Sequence, residues 1–151
     1  MKLLLLTFLL SFTVFGQDFS KIKEKTDRYP KKLSVEKLSK KIDSDFSSKE
    51  EKTKAIYCWL TKNIRYDLEA FYNPTNKKRS FKYRTLDEKN TITQGFKDEI
   101  VTKTLKDNKG ICEGYAQTFA KICNLLHIEN AVIDGYVKSS YNDIGKPIQK
   151  P

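Results

Sequence analysis

The run from Cys112 to Leu126, CEGYAQTFAKICNLL, constrains this chain more than any other stretch. At about 100° per residue, Cys112, Ala116, Phe119, Cys123 and Leu126 fall in one stripe, flanked by Tyr115, Ala120 and Ile122. Glu113, Gln117, Lys121 and Asn124 fall opposite. A helix with so wide an apolar face must pack on something large, so the rest of the chain has to supply a core for it.

The upstream elements can be read the same way. Ser48-Lys49-Glu50-Glu51 has the capping-box pattern and predicts a helix over about 49 to 63. Its apolar positions Ala55, Ile56, Trp59, Leu60 and Ile64 share one face, which leaves Cys58 off that face and open to the surface or to another chain. Trp59 and Tyr66 read as packing residues. Ser34 before Val35, Leu38 and Ile42 suggests a short helix over about 34 to 43, in a segment otherwise rich in lysine and sparse in apolar positions. Asn63 to Asp67 reads as a helix end running into an extended stretch.

Tyr72 to Lys97 is polar, with a solvated tip at Lys77-Lys78-Arg79, and is expected to be a long loop edging a cleft. A short helix over Asp98 to Leu105 follows, closed by a turn at Asp107-Asn108-Lys109-Gly110. Beyond the main helix, NAVIDGYV (130–137) reads as a strand rich in β-branched residues. With only one confident strand, the apolar face of that helix is expected to be undercovered and the polypeptide marginally stable on its own.

The start of the chain bears on compartment. MKLLLLTFLLSFTVFG has a basic Lys2, an apolar core of 13 residues from Leu3 to Phe15, and a small Gly16. That core is too short to span a bilayer and fits a secretory signal cleaved after Gly16, so the protein is expected to be exported to periplasm, cell surface or medium. No second apolar stretch predicts a membrane span. The organisation expected is a signal peptide (1–16), a basic segment with a short helix (17–45), one partial domain (46–138) and a turn-rich tail (139–151).

Removal of the signal leaves 28 basic against 19 acidic residues. These bases are 24 Lys and 4 Arg spread along the whole chain, with no recognition-helix, zinc-finger or RNA-binding signature. A solvated lysine surface is therefore favoured over a nucleic-acid site. An anionic cell-envelope polymer is the partner class that such a surface admits.

Cys58, Cys112 and Cys123 are an odd set with no CxxC pair, so neither zinc nor thioredoxin-like chemistry is indicated. Cys112 stands apart because it opens a helix, where unpaired N–H groups and the macrodipole favour negative charge. Gly110 and Gly114 are expected to leave room for another chain to approach its sulfur. The residues alone leave two readings open, a nucleophile and a small hydrophobe on the packing stripe. For Cys123 core packing is the reading.

KGICEGYA, its helix and ENAVIDGYVK resemble the nucleophile region of the transglutaminase-like superfamily, and AIYCWLTKNIRYD upstream resembles that family's preceding helix and Tyr-Asp exit. The resemblance covers roughly residues 34 to 138. It implies an α+β fold related to papain, with helices packed on an antiparallel sheet, and a Cys-His-Asp triad acting on amides through a thioester. Only Cys112 falls on a catalytic position. Backbone N–H groups at the start of its helix would help hold the oxyanion, and no cofactor or metal is implied.

In the family the histidine and aspartate lie on later strands, in His-Ala-Trp and Asp-x-Thr-Trp stretches, and neither motif occurs in this sequence. The expectation is an N-terminal portion, incomplete at its C-terminus and inactive alone. His127, the one histidine, cannot serve instead: a 15-residue helix separates it from Cys112 by about 22 Å, against about 3 Å for proton transfer. It reads as a helix-end residue. The function implied is an exported transglutaminase-like cysteine hydrolase or protease with a protein or peptide substrate. The rival is a non-catalytic exported binding or scaffold module of the same fold.

Overall fold

The computed structural model describes residues 19–73, 81–133 and 135. The signal segment, the Lys77–Arg79 tip, residues 134 and 136–137 of NAVIDGYV and the 139–151 tail lie outside them. The described chain contains α1 (Phe19–Asp27), α2 (Val35–Asp45), α3 (Lys49–Asn63), β1 (Arg65–Tyr66), α4 (Leu68–Tyr72), α5 (Leu86–Asp107), β2 (Lys109–Gly110) and α6 (Cys112–Leu125).

α3 starts where its capping box predicts. The Ser48 hydroxyl accepts the Glu51 N–H at 3.1 Å, and the Glu51 carboxylate accepts the Ser48 N–H at 3.2 Å. Ala55, Ile56, Trp59, Leu60 and Ile64 are all buried, and the Trp59 indole N–H donates to the Pro30 carbonyl.

The expected position of Cys58 is corrected: it is buried too. The cause is α1, which the sparse apolar pattern of residues 17–45 did not announce. α1 packs along α3 and buries Ile22 and Thr26. Lys62 fastens it by donating to the Asp27 backbone carbonyl at 2.9 Å and pairing with its carboxylate at 3.0 Å. α3 therefore buries two sides, and no single stripe describes it.

α2 begins at its Ser34 cap, which accepts the Lys37 N–H, and buries Val35, Leu38, Ser39 and Ile42. The Tyr29 hydroxyl, between α1 and α2, donates to the Asp45 carboxylate at 2.6 Å. α6 packs against α2, α3 and α5. It is covered on more than one side, which corrects the expected stripe in two places. Gln117 and Thr118 are buried and Cys112 is exposed, while Ile122, Cys123 and Leu126 enter the core as expected.

The long loop expected over 72–97 and the short helix over 98–105 are also corrected. α5 runs for 22 residues from Leu86. Thr85 caps it by accepting the Glu88 N–H at 3.1 Å, and the Glu88 carboxylate accepts the Arg84 N–H at 2.7 Å. Only Val101, Thr104 and Leu105 are buried, so the first half of the helix stands against solvent and carries no apolar period.

The antiparallel sheet is not found. Among the described residues there is one two-stranded parallel sheet, pairing Arg65 with Lys109 and Tyr66 with Gly110. Residues 130–133 form no strand; they are exposed, and no described strand lies beside them to accept their backbone.

Candidate active site

The short parallel pair sets the position of Cys112. The Arg65 N–H donates to the Asn108 carbonyl at 3.0 Å, and the Asp67 N–H donates to the Gly110 carbonyl at 3.1 Å. Asn108 ends α5 in the left-handed region, with φ 51°, a conformation asparagine tolerates better than most residues. Its side-chain amide donates to the Lys31 carbonyl at 3.1 Å and the Asn63 carbonyl at 3.4 Å, so the turn is tied to both the α1–α2 connection and the end of α3. The chain leaves this anchored turn as β2, passes Ile111 and begins α6.

Cys112 is the first residue of α6, exposed, with a free thiol. Ile111 occupies the cap position and offers no side-chain acceptor. By contrast Ser34, Ser48, Asp67 and Thr85 each cap their helix through a side-chain oxygen. Among the helices whose caps are described, α6 alone keeps its first-turn N–H groups free of a cap side chain. Those donors belong to the turn that Cys112 opens and are of the kind suited to a developing oxyanion.

Tyr115, one turn on, ties this end of α6 to β1. Its hydroxyl donates to the Ile64 carbonyl, and its ring stacks on Tyr66 with centroids 6.4 Å apart. Burial, with a smaller contribution from Tyr66, pushes the Tyr115 hydroxyl pKa above its usual value.

The role expected for the glycines is corrected. A Cβ built on Gly114 would lie 2.6 Å from Thr104 Oγ1, and one on Gly110 would lie 3.2 Å from the same side chain. Their missing side chains let α5 approach through Thr104, so the space belongs to the core and not to an incoming chain. Gly114→Ala should therefore destabilise the fold by about 1–3 kcal/mol, the cost of overpacking outweighing about 1 kcal/mol of helix propensity. Thr104→Ala in the same chain should recover most of that loss, as read from urea midpoints at constant slope.

Cys58 and Cys123 are buried free thiols, and burial raises both pKa values. His127 lies at the far end of α6, exposed, with φ 54°. The Ile128 N–H donates to the Cys123 carbonyl at 2.9 Å and the His127 N–H to the Asn124 carbonyl at 3.2 Å, the pattern of a Schellman stop with His127 where glycine is common. The structure thus brings Cys112, Gly110, Tyr115 and Tyr66 together and keeps His127 away. Asn108 and Thr104 are the supporting residues that sequence reasoning missed; Asn108 stood within a recognised turn, whereas nothing marked Thr104. No group of three or more His, Cys, Asp or Glu side chains among the described residues is placed to hold a metal. No helix among them is long and apolar enough to cross a membrane.

A family model for the transglutaminase-like superfamily matches residues 36–146. The chain is 26% identical over 120 residues to the mouse (Mus musculus) kyphoscoliosis peptidase, an alignment covering 80% of this chain and 15% of that protein. It is 25% identical over 122 residues to the human (Homo sapiens) kyphoscoliosis peptidase, covering 81% and 15% respectively. The chain therefore matches only a small part of the length of these curated relatives. No solved structure matches it. The matched region contains α6 and the parallel pair that leads into it, and the chain belongs to the transglutaminase-like superfamily.

Proposed function

We propose that the protein is an exported thiol acyl-transfer enzyme acting on amide bonds of proteins or peptides, with Cys112 as nucleophile. The observation that carries this reading is an exposed thiol at the first position of a helix whose leading N–H groups lack a side-chain cap. In the step proposed, the Cys112 thiolate attacks the amide carbonyl carbon, the C–S bond forms, and the oxyanion draws on the N–H groups opening α6. The C–N bond then breaks, the amine departs with a proton, and water cleaves the thioester to a carboxylic acid and the free thiol. The peptidase names of the curated relatives agree with hydrolysis. The apolar opening MKLLLLTFLLSFTVFG supports export.

The reading requires a general base, and His127 stands at the wrong end of α6 to provide it. That observation favours a second reading, a non-catalytic binding module of the same superfamily, with the lysine-rich surface directed at an anionic polymer. Incubation with p-nitrophenyl acetate, followed by mass spectrometry of the peptide bearing Cys112, separates the two. Acetyl captured on Cys112 and absent from Cys58 and Cys123 is expected for the nucleophile reading. Acetylation of lysines alone would leave the module.

A further inference from the structure

α4 contributes nothing to the core. None of its five residues is buried, although Leu68, Phe71 and Tyr72 are large and apolar or aromatic. They are 59%, 51% and 72% exposed, and Tyr66, just before them, is 44% exposed. Single exposed hydrophobes need no explanation, but these rings form a continuous array. Tyr72 meets Phe71 edge-on at 5.2 Å, Phe71 meets Tyr66 at 5.8 Å, and Tyr66 stacks on Tyr115.

The array begins at the candidate nucleophile. Tyr66 is the register partner of Gly110, two residues before Cys112, and Tyr115 lies one turn into the helix that Cys112 opens. The Asp67 carboxylate accepts the Ala70 N–H at 3.1 Å and pairs with Lys109 at 3.2 Å, so these two charges are already committed to each other and to the helix start. Arg65 alternates to the other side of β1 from Tyr66.

We propose that Tyr66, Leu68, Phe71 and Tyr72 form a subsite for a large apolar or aromatic side chain of the polypeptide whose amide Cys112 attacks. The proposal rests on the nucleophile reading above. It assigns α4 a role in substrate preference, which explains why a helix with three large apolar residues buries none of them. Half-burying a phenylalanine side chain on such a shelf should change the reaction rate about tenfold.

The test compares two directed probes, N-acetyl-Gly-Phe and N-acetyl-Gly-Gly chloromethyl ketones, with iodoacetamide as the undirected control. In each, the Cys112 sulfur displaces the halide, so a C–S bond forms and halide leaves. Labelling of Cys112 in the whole chain is followed by mass spectrometry, and far-UV circular dichroism verifies that each variant is folded. Relative to iodoacetamide, the Phe probe should label about tenfold faster than the Gly probe. Phe71→Ser and Tyr72→Ser should each reduce that preference several-fold and leave the iodoacetamide rate unchanged.

Equal rates for the two probes with normal iodoacetamide labelling, or a preference indifferent to both substitutions, would overturn the subsite while sparing the nucleophile. Should Cys112 prove inert to iodoacetamide, the nucleophile reading fails separately. The shelf is then read by nuclear magnetic resonance with N-acetyl-phenylalanine amide on the Cys112→Ser chain. Shifts confined to the Tyr66, Phe71 and Tyr72 rings would support it, and silence would overturn it. A concentration-dependent dimer abolished by Phe71→Ser would also overturn it, by assigning the shelf to a second copy of this chain.

Discussion

Trp59→Ala is expected to destabilise the protein by about 3–5 kcal/mol, the range for removing a wholly buried aromatic side chain. Trp59 is the largest fully buried side chain among the described residues and belongs to the core cluster formed by α1, α2, α3, α5 and α6. The truncation leaves a cavity in that core and strips the Pro30 carbonyl of the indole donor it holds at 3.3 Å. A small domain has roughly 5–15 kcal/mol of stability in total, so the variant should lose about a fifth of it or more. Trp59→Phe should fall between the two, keeping most of the volume and losing the N–H. Tyr57→Ala is the control: Tyr57 sits on the same helix but is 55% exposed and makes a T-shaped ring contact with Phe19, so a change within about 1 kcal/mol is expected. Urea midpoints at constant slope measure all three.

The second large effect is chemical. Cys112→Ala should abolish acyl capture from p-nitrophenyl acetate at this position while changing stability by no more than about 0.5 kcal/mol, as for an exposed side chain outside the core. Alanine is the best helix former and fits the first position of α6 without strain. The combination separates a reacting thiol from a structural one. A variant with a lowered urea midpoint would assign Cys112 to packing, whereas an unaltered midpoint with lost capture assigns it to chemistry. Cys123→Ala should behave in the opposite way, because Cys123 lies in the core with its thiol pKa raised by burial.

The elements legible in the sequence were those whose signal is local. The Ser48–Glu51 box marked the start of α3, Ser34 marked α2, and the turn at Asp107–Gly110 marked the entry to α6. Cys112 at the first position of α6 followed from the same logic. What remained hidden depended on partners. α1 buries only Ile22 and Thr26, so its amphipathic pattern is thin, and Cys58 could not be placed until α1 was seen to cover it. The first half of α5 has a capped start and no fully buried side chain, which leaves no period to read.

Gln117 and the two glycines were misread for a related reason. A helix buried on several sides does not divide into an apolar face and a polar one, and Thr104 reaches Gly110 and Gly114 across a contact that spacing along the chain does not encode. The resemblance carried by KGICEGYA and AIYCWLTKNIRYD identified the superfamily, but the antiparallel sheet it implied is replaced among the described residues by the parallel pair of β1 and β2.

The most direct measurement is the second-order rate of iodoacetamide with Cys112 at neutral pH, in the folded chain and in the same chain unfolded in urea. Unfolding removes the helix start and its N–H groups and keeps the local sequence, so the ratio isolates what position contributes. A faster rate in the folded chain, with Cys58 and Cys123 labelled only on unfolding, is the predicted result. An equal or slower rate at Cys112 in the folded chain would contradict a thiol activated by its place in the fold.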